Sequence, residues 1–166
     1  MLIICVSRIK INNALLKYSR YEIKVQDVEN CDFTKQILYH SPSLLSFFAD
    51  IQIATEDYNA AISTISRLKR FENSYSIEKN LAHSYEITGD TVQALRHYDI
   101  AHNMCPGYLE PLFSKFLIYE ARQDSSTVYL AKEIVNFVPK INNPRTEAMK
   151  NKAIESLNSF NNSELH

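Results

Sequence analysis

Apolar positions along this chain recur with the i, i+3, i+4 rhythm of helices, broken at short polar turns. The rhythm is clearest from Asn80 to Pro106. Leu81, Ala82 and Tyr85, followed by Ile87, mark one helical face. Ala94, Leu95, Tyr98 and Ala101 mark a second. Between them, Thr88-Gly89-Asp90 supplies a residue able to adopt the left-handed conformation and a residue able to cap the next helix. Pro106 ends the second helix, because proline lacks the backbone N–H and disfavours helix at the residue before it. Small residues (Ala82, Ala94, Ala101) stand where two helices would approach closely, and Tyr85 and Tyr98 stand where gaps need filling. The stretch predicts two antiparallel helices packed face to face.

The same rhythm organises the rest of the chain. Residues 1–42 predict a degenerate N-terminal helix pair, with helices over Ser7–Lys24 and Asp27–Tyr39 and a stop at Ser41-Pro42. Residues 43–140 predict three helix pairs, at about 43–73, 75–106 and 108–139. In the first, Ser43 can cap a helix carrying Leu44, Leu45, Phe47, Phe48, Ala49, Ile51 and Ile53. Glu56-Asp57-Tyr58 then forms the turn, and Ala61, Ile62, Ile65 and Leu68 line the return helix. In the third, Gly107-Tyr108 opens a helix with Pro111 in its first turn, where proline is tolerated. Gln123-Asp124-Ser125 forms its turn, and Thr127, Ala131 and Ile134 continue the pattern. Asn143-Pro144 is a helix start, so 143–160 predicts one amphipathic helix that covers the last pair, with 161–166 as a frayed tail.

Leu81, Ala82, Tyr85, Gly89, Asp90, Ala94, Tyr98, Ala101 and Pro106 resemble, in order, the pattern of the tetratricopeptide repeat (TPR), a unit of about 34 residues. Glu78 stands where that pattern has an aromatic residue. Asp57 and Asp90 lie 33 positions apart, close to the family period, and Ala49 and Ala61 match the small positions. The resemblance implies an all-α, TPR-like right-handed superhelix of antiparallel helix pairs with a C-terminal capping helix. A narrower likeness covers residues 30–157. Asn103-Met104-Cys105-Pro106, Pro111-Leu112, Ala131-Lys132-Glu133-Ile134, the helix after Asn142-Asn143-Pro144, and Ser41-Pro42-Ser43-Leu44-Leu45 resemble the C-terminal TPR region of O-antigen ligase-like membrane proteins of Bacteroides-type bacteria. The chain has no counterpart of that ligase's membrane-spanning catalytic part, so the resemblance implies no transferase activity. It implies a domain of a larger envelope protein or a free-standing relative.

Composition narrows the class. With 166 residues, 45% of them hydrophobic and 22% charged, the chain is long enough to bury a core. A formal net charge of -1 gives no electrostatic footprint for nucleic acid. Cys5, Cys31 and Cys105 are too scattered for a disulfide framework or a zinc site, and free thiols lean towards a reducing compartment. The start MLIICVSRIK lacks the apolar run of roughly 7–15 residues and the cleavage site of a secretory signal. No stretch reaches the roughly 20 apolar residues of a membrane span. The expected location is cytoplasmic, with the cell envelope, as part of or bound to a membrane protein, as the alternative.

Candidate chemistry is sparse. Two glycines cannot build a phosphate-binding loop. His97, His102 and Cys105 are not spaced to share one helix face as a metal pair would be, and Glu86, Asp90 and Asp99 pair with nothing as acid and base. No catalytic residue, metal site or cofactor is expected. In a solenoid of helix pairs the first helices line the concave face. The resemblance therefore points to a groove formed by Ser76, Lys79, His83 and Glu86, by Asp50 upstream, and by Phe113, Leu117 and Glu120 downstream. A clamp for a peptide C-terminal carboxylate is disfavoured by the acidic Asp50 and Glu110. The expectation is a non-enzymatic protein–protein interaction scaffold for a peptide or partner helix. The alternative is an accessory domain of a surface-polysaccharide ligase or polymerase. The helix-pair reading has a direct check: Tyr85→Ala should cost roughly 3–5 kcal/mol, seen as a lower melting temperature.

Overall fold

The computed structural model describes residues 41–140 and 143–163, and every element among them is an α-helix. The expected helix pair over residues 1–42 lies outside the described residues but for Ser41 and Pro42. The chain divides into two compact units after Glu72.

In the first unit, α1 spans Pro42–Ala54 and α2 spans Tyr58–Leu68. The sequence offers Ser43 as the cap of α1, but the helix begins two positions earlier than that cap would start it. Pro42 opens it, because its missing N–H would have no partner in the first turn anyway. Ser41 flanks it in an extended conformation without a side-chain cap. Glu56 makes the turn with a left-handed φ of 61°, and the Asp57 carboxylate accepts from the Ala60 N–H at 3.2 Å to start α2. Leu45 and Ala49 on α1, and Ala61, Ile65 and Leu68 on α2, are buried where the two helices pack.

The second unit holds α3 (Tyr75–Ile87), α4 (Thr91–Met104), α5 (Glu110–Ala121), α6 (Ser126–Asn136) and α7 (Pro144–Ser163). Gly89, at φ 86°, ends the turn after α3. Asp90 caps α4 by accepting from the Gln93 N–H at 3.1 Å. So short a connection returns α4 along α3 as its neighbour. Ala82, Ala94 and Ala101 have no exposed surface, which lets the two backbones approach closely. Ala82, Ala94 and Tyr98 form a cluster with Ile118 of α5, and Tyr85 and Leu95 pack on it.

The helix expected to open at Gly107-Tyr108 begins instead at Glu110, where Pro111 fits the first turn. Gln123, at φ 54°, turns the chain into α6. Asn143 caps α7 by accepting from the Thr146 N–H at 2.9 Å. Leu112 and Phe116 of α5, Leu130, Ala131 and Ile134 of α6, and Ala153 of α7 share one core with Leu109. Full burial of a side chain such as Phe116 contributes about 1.5–3 kcal/mol.

One buried contact is polar. Glu78, in the first half of α3, has no exposed surface. Its Oε2 lies 2.6 Å from Nδ1 of His97 on α4. The His97 ring in turn stacks on Tyr85, with centroids 5.5 Å apart and planes 5° from parallel. The carboxylate is placed near the positive end of the α3 dipole, and the imidazole supplies its hydrogen bond. Breaking such a pair is more costly than replacing it whole. His97→Leu alone should therefore lower the unfolding free energy in urea by about 3–5 kcal/mol, and Glu78→Leu with His97→Leu should recover most of that loss. A double variant as unstable as the single one would show that the pair does not set the stability of this helix contact.

Candidate functional site

The residues that line a groove in the second unit come from α3, α5 and α7, with Tyr98 from α4. It encloses about 660 Å³. Helical periodicity explains the lining. Lys79, His83 and Glu86 follow one another at four and three residues along α3, and Glu110, Phe113 and Leu117 at three and four along α5. Each set therefore forms a single stripe about 10 Å long. Arg145, Ala148 and Met149 of α7 complete the wall. Phe113, Leu117 and Met149 also pack on the hydrophobic core with their inner sides, so the groove floor is continuous with the core.

Glu110 is the polar centre of one end. Its Oε1 accepts from Nη2 of Arg145 at 2.8 Å, and its Oε2 lies 3.6 Å from Nζ of Lys79. The Tyr75 hydroxyl donates to the same Oε2 at 3.4 Å. Lys79 also lies over the Tyr75 ring, 5.9 Å from its centroid. Burial and the Glu110 charge push the Tyr75 hydroxyl far above the ordinary phenol range. A second recess of about 360 Å³ adjoins the groove and shares Glu110, Arg145 and Met149 with it. The Tyr75 and Tyr108 rings, 5.0 Å apart, line that recess.

Glu86 and Tyr98 hold the other end. The Tyr98 hydroxyl donates to Glu86 Oε2 at 2.6 Å. Burial, then the hydrogen bond to Glu86, push the Tyr98 hydroxyl well above its usual range, with Ser114 acting in the opposite direction. Among the described residues, no cation lies within ion-pair distance of Glu86.

Of the residues proposed from the sequence, Lys79, His83, Glu86, Phe113 and Leu117 line this one groove. Ser76 lines the adjoining recess. Glu120 lies outside both and pairs with Lys152 at 3.5 Å. Asp50 is exposed on α1 in the other unit. Asn80 lines the groove beside Lys79, and Tyr98, Arg145 and Met149, which the sequence pattern does not mark as groove residues, line it too. The sequence pattern marks Tyr98 for packing and α7 for covering the last pair, and both also line the groove. A signal for Arg145 was present: Tyr75, Glu110 and Arg145 are spaced 35 residues apart, and these three side chains meet.

Among the described residues, no group of three or more His, Cys, Asp or Glu side chains is arranged to hold a metal ion. No helix among them is long and apolar enough to cross a membrane. The chain matches no family model, and no curated protein matches it.

The Tyr98–Glu86 bond has a pH signature. Because the folded tyrosine holds its proton more tightly than the unfolded one, its contribution is fully present below the unfolded pKa of about 10 and is lost as the pH rises beyond it. Tyr98→Phe should cost about 1 kcal/mol at neutral pH. The gap between the two proteins in urea unfolding should shrink above about pH 10. A gap constant into the alkaline range would contradict this account of the bond.

Proposed function

We propose that this chain is a non-enzymatic protein–protein interaction scaffold that binds a peptide segment of a partner in the α3–α5–α7 groove. The observation that carries this reading is the groove's make-up. An apolar floor of Phe113, Leu117 and Met149 is rimmed by polar side chains, among them Lys79, Asn80, Glu86 and Arg145. The Asn80 side-chain amide makes no hydrogen bond among the described residues. An amide offers both donors and an acceptor. It therefore suits an extended peptide, whose backbone N–H and C=O groups need partners, better than a helix, which satisfies its own. Concave, mostly apolar sites with a few placed polar groups are the usual form of binding sites.

In this proposal the helix pairs of the second unit follow a TPR-like right-handed superhelix, with α7 as its cap. The left-handed Gly89 before the Asp90 cap supports that arrangement. So does the 35-residue spacing of the three side chains that meet at Glu110.

The test is a titration of the isotopically labelled protein with defined pools of short synthetic peptides, followed by amide chemical shifts. Shifts should concentrate at Lys79, His83, Phe113 and Met149. Lys79→Ala should weaken binding by about tenfold, the loss of one charge-assisted hydrogen bond, with the melting temperature unchanged. Shifts that avoid the groove for every pool would refute the proposal.

A further inference from the structure

The groove is electrically two-ended, and this selects among peptides. At one end, two cations, Lys79 and Arg145, share the single carboxylate of Glu110, leaving one positive charge in excess. The Arg145 side chain is 71% exposed and so remains open to a second anion. At the other end, Glu86 has only the Tyr98 hydroxyl as partner, leaving one negative charge with no cation among the described residues. Lys79 and Glu86 are seven residues apart on α3, about 10 Å along the helix axis. Phe113 and Leu117 line the same groove, three and seven residues on from Glu110 along α5.

We infer that the groove recognises an extended peptide segment bearing one basic and one acidic side chain about 10 Å apart with an apolar residue between them. The basic group meets Glu86, the acidic group meets Lys79 and Arg145, and the apolar side chain rests on Phe113 and Leu117. In a chain extended as a polyproline II helix, with three residues per turn and a rise of about 3.1 Å, two charges three positions apart stand on one face at about that distance. The inference rests on the peptide-binding reading above and adds the ligand's charge order to it. A peptide of either single charge would satisfy one end and leave the other repelled or unpaired, so the discrimination is built from both attraction and repulsion.

A random dodecapeptide library displayed on phage, selected in parallel on the wild-type protein, Glu86→Gln and Glu86→Lys, tests this. Glu86→Gln keeps an acceptor for Tyr98, and melting temperatures establish that each variant is folded. The wild type should enrich peptides with a basic and an acidic residue three positions apart around an apolar one. Glu86→Gln should bind those same peptides about tenfold more weakly, the loss of one charge-assisted contact. Selection on Glu86→Lys should replace the basic residue by an acidic one. Enriched peptides without that charge pattern, whose binding Asn80→Ala weakens, would overturn the charge order while leaving the groove reading in place. The same holds if all three proteins select the same peptides. No enrichment on the folded wild type would overturn both.

Discussion

The Glu110 carboxylate is the contact on which the geometry of the second unit's groove depends. It is held by a hydroxyl and an ammonium from α3 and by a guanidinium from α7, while standing at the first turn of α5. Three helices that are not consecutive in the chain are thereby referred to one pair of oxygens. A carboxylate near a helix N-terminus is already favoured by the backbone dipole, and two cations then balance it. Because these groups are partly exposed, each pair adds little to global stability. Their effect is positional: they fix which side chains converge and where the wall of α7 stands against α3.

Beneath that polar end, the packing divides into two layers that share α5. Ile118 faces the alanine-rich contact of α3 and α4, and Phe116 faces the core with α6 and α7. The floor of the groove is the outer side of this second core. A ligand resting on Phe113 or Leu117 would therefore press on residues already fixed from below, which reduces the ordering cost of binding. The Glu78–His97 pair occupies the corresponding interior between α3 and α4.

What could be read from the sequence follows the range of each rule. Gly89 before Asp90, Asp57 before α2, and Asn143-Pro144 before α7 are local signals, and each acts where it stands. Boundaries set by competing local signals moved: Pro42 overrode Ser43, and Pro111 overrode Gly107. The buried Glu78 was recognisable only as a departure from a pattern. Its explanation is an imidazole 19 positions away on another helix. The α3 and α5 stripes of the groove follow from helical periodicity, which assigns Lys79, His83 and Glu86 to one face. Arg145 is marked only by its 35-residue spacing from Glu110, and Met149 not at all, because amphipathic patterning gives a helix's inner face without naming its neighbour.

The row formed by Tyr75, Glu110 and Arg145 carries a consequence for how such a chain can change its length. The three positions are equivalent by spacing but not by chemistry: a phenol, an acid and a base, joined in that order. Duplicating the segment that bears Glu110 would set two carboxylates side by side. Deleting it would bring a phenol against a guanidinium with no anion between them. A modular-looking architecture is thus locked in its order, and descendants of this chain should gain or lose helices at the outer ends more readily than within the row.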